Sequence, residues 1–544
     1  MNAGANRASI GRRIAISAVL IMLGNIVSRL LGLVREQTIA ALFGTTAAAS
    51  LFSAVSRVPT MVYDLLIGGA ISAALVPIFS EIAAKDSDEA NSGKHTSGAA
   101  NDELKTVAGC VIGLTLAVLV PVVVALMVFA PSLMSVLGVG FAPEVQEQGI
   151  LLTRVALPSV IFLGVAAVLM AVHYAQHRVT FPSFAAGVYN LGIIVSAVSL
   201  SVPFGVTGLV IGLLVGAGAQ MVLQFFGLRG ALPSVTLNAA RALREPAVRR
   251  ILRLYAPGAA GLAVSAAVVV LDTRLASQTG EGSLAAMRYA TNLVQLPLGL
   301  VATALSFAVL PVLSRHGKAG AHDPEFGRTL SLGMRAALLL IAPATVALIV
   351  LREPVIRLIF QRGSFGPEAV DLTSLALLYY SPQLPFVALD QLLIAAFYAL
   401  QNTRLPVLIG VVGAALYTVV AVLTVEPLGM PGLVLANTLQ NSAHAVILFL
   451  FLLRLPAIRG TAGLAPATLR IGFAALSMAA ILLLFQEFIA IPNHALGLAT
   501  YLAASLAVAG ASYLMALVIM RSEELSYATR IVTSRLRRRS QVYA

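Results

Sequence analysis

Arginines and carboxylates stand in stretches of this chain that are otherwise apolar: Arg29, Arg35 and Glu36 within 14–43, Arg57 and Asp64 within 48–82, and Arg154 within 149–176. Further along come Asp272 and Arg274 within 250–277, Arg288 within 284–314, Arg335 within 329–351 and Asp390 within 370–400. A charge at bilayer depth costs about 2.5 to 3.5 kcal/mol on insertion scales, so such groups face a cavity or a partner. Arg29 and Arg35 are six residues apart, under two helical turns, so they point to neighbouring faces and can line one wall. Arginine presents a planar, permanently charged fork suited to phosphate oxygens. The excess of Arg over carboxylate in the first stretches points to a central cavity for an anionic cargo, most simply a phosphorylated one. The competing reading of each residue is an internal salt bridge between helices and, for Arg154, Arg288 and Arg335 near helix ends, a head group that snorkels to the interface.

Catalytic readings do poorly. The chain contains neither Gly-x-x-x-x-Gly-Lys-Ser/Thr nor His-Glu-x-x-His, and of its seven histidines only His173 and His177 fall at a metal-ligand spacing, without a nearby acid. That pair reads as interfacial. The single cysteine, Cys110, excludes an intramolecular disulfide. No cofactor is expected.

The elements that must position the charges are membrane helices. Hydrophobic residues make up 59% of the chain and charged residues 11%, against about a quarter charged in soluble proteins. At roughly 20 apolar residues per span, the runs predict an all-α integral membrane protein of fourteen helices. The first six cover 14–43, 48–82, 104–130, 149–176, 182–202 and 206–228. The next six cover 250–277, 284–314, 329–351, 370–400, 405–424 and 431–453, and a last pair covers 466–486 and 497–520. The implied organisation is a cytoplasmic N-terminus (1–13), an N-lobe (14–230), an amphipathic connector (231–249), a C-lobe (250–454), a helix pair (464–521) and a basic tail (522–544).

The two lobes are repeats. Gly140-Phe141-Ala142-Pro143-Glu144 and Ser364-Phe365-Gly366-Pro367-Glu368 stand 224 positions apart, and at that offset Pro158 matches Pro382, His173-Tyr174-Ala175 matches Phe397-Tyr398-Ala399, and Pro182 matches Pro406. A second pair, starting at Ala70 and Ala304, lies 234 apart, the polar stretch Lys85 to Asp102 supplying the difference. Duplicated bundles are the usual construction of a secondary transporter.

The net charge of +13 follows the membrane rather than nucleic acid. With the N-terminus inside, the inner loops and tails hold most of the 36 Lys and Arg, including Arg229 to Arg253 and Arg535 to Arg539, while the outer loops hold only Arg352, Arg357 and Arg362. This is the positive-inside asymmetry and predicts cytoplasmic termini.

Four segments, Ser28-Arg29-Leu30-Leu31-Gly32-Leu33-Val34-Arg35-Glu36, Gly68-Gly69-Ala70-Ile71-Ser72-Ala73-Ala74-Leu75-Val76-Pro77, Leu296-Pro297-Leu298-Gly299 and Phe397-Tyr398-Ala399-Leu400-Gln401-Asn402-Thr403-Arg404-Leu405-Pro406, resemble the MurJ (MviN) family of lipid II flippases. The resemblance implies a transporter of the bacterial cytoplasmic membrane, not an enzyme. Its cargo would be lipid II or a similar polyprenyl-diphosphate lipid, carried to the outer leaflet for peptidoglycan synthesis by alternating access, with peptidoglycan synthases as candidate partners. The family's S-R-x-x-G-x-x-R-D/E motif maps onto Arg29, Arg35 and Glu36. Where many members carry a basic pair in helix 2 this chain has Tyr63-Asp64, and where many carry an Arg in helix 8 it reads Ala290-Thr291-Asn292-Leu293. Arg57 and Arg288, with Asn292, are expected to reach the same cavity instead. An acid matching Asp272 helps hold Na+ in some members; its usual helix 11 partners fall here at Tyr417 and Ala421, so membrane potential is the simpler driving force.

Two other readings stand beside this one. One is a flippase or exporter of another lipid-linked oligosaccharide. The other is a scaffold that recruits envelope enzymes through its basic tail and connector, for which the cavity arginines would be dispensable.

Overall fold

The computed structural model describes the backbone over 2–68, 74–91, 99–228, 233–317, 323–455 and 463–526, with side chains outside 2–18, 67–68, 85–91, 99–101, 256–260 and 307. The basic tail from 527, residues 69–73 of the second motif and Arg229 lie outside the described residues.

Every long described element is a helix. In chain order they are α1 (Asn2–Phe43), α2 (Ala47–Tyr63), α3 (Val76–Asn91), α4 (Ala99–Val128), α5 (Ala130–Leu137), α6 (Pro143–Ala156), α7 (Ser159–Ala175), α8 (Thr180–Phe204), α9 (Val206–Gly227), α10 (Ala239–Arg244) and α11 (Pro246–Ser277). There follow α12 (Ser283–Gly317), α13 (Pro324–Val350), α14 (Arg352–Phe360), α15 (Pro367–Tyr380), α16 (Leu384–Ala399), α17 (Arg404–Leu428), α18 (Met430–Leu452), α19 (Leu464–Phe488) and α20 (Ala495–Ile519). Among the described residues, eleven helical stretches are long and apolar enough to cross a membrane, against the fourteen predicted. The three predicted spans outside that set are α1, the α2–α3 pair and α11, which carry Arg29, Arg35, Glu36, Arg57, Asp64 and Asp272.

The duplication is written into the backbone. Helices α8 and α17 both begin and end 224 residues apart, and α6 and α15 both open on a proline, Pro143 and Pro367. His177 and Gln401 occupy the left-handed region at φ 57° and 58°, and Gly205 and Gly429 join the next helix pairs at φ 56° and 64°. The α6–α7 junction at Leu157-Pro158 is matched by a 3-10 turn, Ser381–Gln383, around Pro382. Glycine is required at Gly205 and Gly429 because a Cβ is strained at positive φ. Close approach of α8 to α9 likewise needs Gly192, whose added Cβ would stand 2.5 Å from the Gly216 Cα.

Two departures from the sequence reading matter for the site. Helix 2, expected to be continuous over 48–82, stops at Tyr63 and passes into a π turn, Asp64–Gly68. Such turns leave backbone groups outside the regular ladder, and here the Tyr255 hydroxyl of α11 donates to the Leu65 carbonyl. Secondly, the chain divides into compact units after Ala285 rather than at 250. Helix α11, expected to open the C-lobe, packs with α2, α4, α5 and α10 in the first unit. Polar contacts hold it there: Arg250 Nη1 lies 2.8 Å from Glu81 Oε2 and Gly140 N donates to Ser277 Oγ at 3.2 Å.

The core of the first unit joins α2, α3, α4 and α7 through Val58, Phe79, Leu119 and Leu169. The second unit places the final pair α19–α20 against α13, burying Met478, Leu482, Tyr501 and Tyr513, and Tyr513 Oη donates to Leu339 O at 2.9 Å. Outward faces of that pair remain apolar at Leu469, Leu476 and Ile519, as lipid-facing positions must.

Candidate functional site

Four charged residues of the first unit form two clusters. On α1, Glu36 is fully buried and its Oε1 accepts from Arg35 Nε at 2.9 Å and Nη2 at 2.5 Å. Arg35 Nη1 donates to Asn190 Oδ1 on α8 at 2.8 Å, and Asn190 Nδ2 in turn donates to the Ser28 carbonyl at 3.2 Å. Asn190 therefore clamps the α1 backbone and the Arg35 head together. Close α1–α8 packing is enforced at Gly24, where a Cβ would collide with Ser183 O at 2.3 Å. A guanidinium has five N–H donors. Glu36 and Asn190 take three of Arg35's, and no acceptor among the described residues is matched to the other two, one N–H on each Nη. Arg29, half-buried, sits on the same helix one residue after Ser28.

The second cluster joins α2 to α11. Arg57 Nη1 donates to Asp272 Oδ2 at 2.6 Å and to Thr273 Oγ1 at 2.7 Å, and the Thr273 hydroxyl donates onward to Val269 O at 2.7 Å. Both N–H groups on one arm are used. The Nε–Nη2 edge, which grips a carboxylate or phosphate with two parallel bonds, has no acceptor among the described residues. The Arg57 and Asp272 side chains are 28% and 18% exposed, enough for a ligand to reach them. A cation thus already stands against Asp272, the residue expected to help hold Na+.

Structure brings together Arg35 with Glu36 and Arg57 with Asp272. Arg288 and Asn292 belong to the second unit, where Asn292 Nδ2 turns back to the Arg288 carbonyl at 3.0 Å. Between them Tyr289 is buried against Phe360 and Phe365. Arg154 Nε caps the Met127 carbonyl at 3.1 Å, and Arg335 pairs with Glu524 at 3.5 Å beyond α20, so salt bridging rather than snorkelling describes Arg335. His173 is buried, with Nε2 3.1 Å from Gln224 O and its ring stacked on Phe181. The helix ends at Ala175, so His177 does not share its face. That removes the i, i+4 metal-ligand geometry, and His177 itself is exposed. Sequence reasoning missed Asn190 and Thr273; a lone Asn in the middle of an apolar span was the available signal for the first.

Repeated bundles of membrane-crossing helices, with arginine forks held half-engaged inside the first, are the construction of a multi-pass transporter of anionic cargo. The sequence profile of the family described as "Lipid II flippase MurJ" matches residues 39–531. The chain is 30% identical over 436 residues to the lipid II flippase MurJ of Burkholderia cenocepacia, covering 78% of this chain and 81% of that one. It is 30% identical over 441 residues to the probable lipid II flippase MurJ of Haemophilus influenzae, covering 78% and 83%. A solved lipid II flippase MurJ in an inward closed conformation superimposes with a TM-score of 0.76 at 21% identity, over 92% of this chain and 98% of the other. An inward-facing MATE multidrug transporter superimposes at 0.63 and 17% identity, over 80% and 96%. The chain belongs to the lipid II flippase MurJ family.

Proposed function

We propose that the protein translocates lipid II, a polyprenyl-diphosphate-linked peptidoglycan precursor, from the inner to the outer leaflet of the bacterial cytoplasmic membrane. Family membership supplies the cargo class. The single structural observation that supports it is the pair of half-engaged guanidinium groups, Arg35 and Arg57, each held by a carboxylate while keeping N–H donors for an incoming oxyanion. Partial engagement is suited to a carrier. The carboxylates offset the cost of arginine in the empty site, and the remaining donors give the diphosphate a charge-assisted grip that is not so strong as to prevent release.

In this reading Arg29, Arg35 and Arg57 receive the diphosphate, and the lipid tail stays in the bilayer. Alternation between inward and outward access requires the cargo to bind the two states unequally. The interruption of helix 2 at Asp64–Gly68 is a point at which that helix can bend. The distribution of Lys and Arg supports cytoplasmic termini; in this reading membrane potential is the simplest driving force, and peptidoglycan synthases consume the product.

Reconstitution tests the cargo. Purified protein in proteoliposomes with fluorescent lipid II should expose it at the opposite leaflet, and Arg35→Ala and Arg57→Ala should each slow this by tenfold or more. Equal rates for lipid II and for an undecaprenyl lipid bearing an unrelated oligosaccharide would move the cargo assignment to lipid-linked oligosaccharides in general.

A further inference from the structure

Asp390 and His444 were each visible in the sequence, but not as a pair. In the second unit, His444 Nδ1 on α18 lies 2.7 Å from Asp390 Oδ1 on α16, and His444 Nε2 lies 3.2 Å from the Pro406 carbonyl on α17. Both ring nitrogens therefore face oxygen acceptors. A neutral imidazole has one N–H and one lone pair. With Asp390 ionised, a neutral His444 would turn its lone pair on either the carboxylate or the carbonyl. Hydrogen bonds at both nitrogens together need one proton more than an ionised aspartate and a neutral histidine hold between them. The ring has room because Gly410 faces it, a Cβ there standing 3.9 Å from Nε2.

We infer that Asp390 and His444 form a proton-binding site that couples H+ to the movement of the second repeat, in the protonated form an imidazolium bridging α16 and α17. This rests on the reading of the chain as a flippase. One proton arrives from water and completes both hydrogen bonds; its return to water breaks one of them, freeing α18 from α16 or from α17. Ionisable groups at membrane depth serve as such relays in pumps and transporters.

Three observations carry it. The two side chains are 18% and 15% exposed, open enough to exchange a proton yet mostly out of water. A polar seam continues from the pair along α18: Asn441 Nδ2 meets Gln383 Oε1 at 2.6 Å, and Thr438 Oγ1 donates to Tyr379 O at 2.7 Å. The pair is also absent from the first repeat, where the positions 224 residues earlier are Ala166 and Gln220, although Pro406 has its counterpart in Pro182. A merely structural link common to both bundles would have been duplicated. The ionisable side chains on the elements packed around it are Glu325, Arg328 and Arg335 on α13, the last paired with Glu524, Glu368, Asp371, Tyr379 and Tyr380 on α15, Tyr398 on α16, and Arg404, Tyr417 and Glu426 on α17.

The test uses the full-length protein in two arms. In lipid nanodiscs, 15N-histidine NMR, with His444→Gln assigning the resonance, is expected to show both ring nitrogens of His444 protonated at pH 6, and the pH at which one proton leaves should move by a unit or more in Asp390→Asn. A single ring proton throughout, or a step unmoved by Asp390→Asn, overturns the site. In proteoliposomes with potential clamped at zero, one unit of outside-acid ΔpH should shift the transbilayer ratio of lipid II about tenfold for one proton per cycle, and Asp390→Asn and His444→Gln should abolish the shift. Wild type that flips lipid II under a K+ diffusion potential but ignores ΔpH overturns the coupling and leaves the cargo intact. Wild type that flips under neither gradient contradicts the cargo, and the NMR arm still decides the proton site.

Discussion

Arg57 and Asp272, 215 residues apart in sequence, meet at 2.6 Å between α2 and α11. The contact fixes α11 to the first unit and at the same time presents the free edge of the guanidinium. Removing one partner leaves an uncompensated charge at membrane depth. Arg57→Ala is therefore expected to lower stability by about 1–3 kcal/mol, while Arg57→Ala/Asp272→Ala recovers much of that loss without recovering transport. Thermal unfolding in detergent and flipping rates, measured on wild type and both variants, separate the two roles. Transport restored in the double variant would make Arg57 purely structural.

Asn190 holds Arg35 and the Ser28 carbonyl simultaneously. Asn190→Leu removes both bonds, with an expected loss of about 1–2 kcal/mol and a weaker grip on diphosphate. Binding of a soluble polyprenyl-diphosphate analogue should fall severalfold. Unchanged affinity would mean that Arg35 needs no help from α8.

How much of this was readable in advance divides along one line. The duplication was readable because Pro158/Pro382 and Pro182/Pro406 shape the chain locally, and local residue types announce local geometry. Arg29, Arg35, Glu36 and Arg57 stood out because charge in an apolar run is costly. What pairs with what was hidden: Arg35 with Asn190 spans 155 residues and Asp390 with His444 spans 54, and only tertiary packing brings them together. The allegiance of α11 to the first unit was hidden for the same reason, whereas the π turn at Asp64 follows Pro59 and ends on Gly68.

The shared backbone at the repeat junctions gives a paired prediction. Gly205 and Gly429 sit at φ 56° and 64° with ψ of −137° at both, a region that residues with a Cβ rarely occupy. Gly205→Ala and Gly429→Ala should each cost about 1–3 kcal/mol, although a Cβ at either site meets nothing within 4 Å. Equal melting temperatures for wild type and both variants would show that these junctions relax freely.

At the α13 N-terminus, Asp323 accepts from the Glu325 amide and lies 2.9 Å from His316 Nδ1. Hydrogen bonds from His316 and from that amide hold its carboxyl below the ordinary 3.8. A carboxyl depressed in the folded state contributes stability that is present above its ordinary value and lost as pH falls through the folded one. Asp323→Ala should speed amide exchange in the first turn of α13 at neutral pH, and the difference from wild type should fade below about pH 3.8. A difference that persists in acid would assign the effect to packing.

The most direct test of lipid II translocation through the arginine site is complementation of a flippase-depleted bacterium with expression-matched wild type, Arg29→Ala, Arg35→Ala and Arg57→Ala, reading lipid II exposed at the outer leaflet by enzymatic cleavage. Wild type is expected to restore growth and exposure while Arg35→Ala and Arg57→Ala fail and Arg29→Ala is impaired. Full restoration by all three variants, or a correctly inserted wild type that exposes no lipid II, would contradict it.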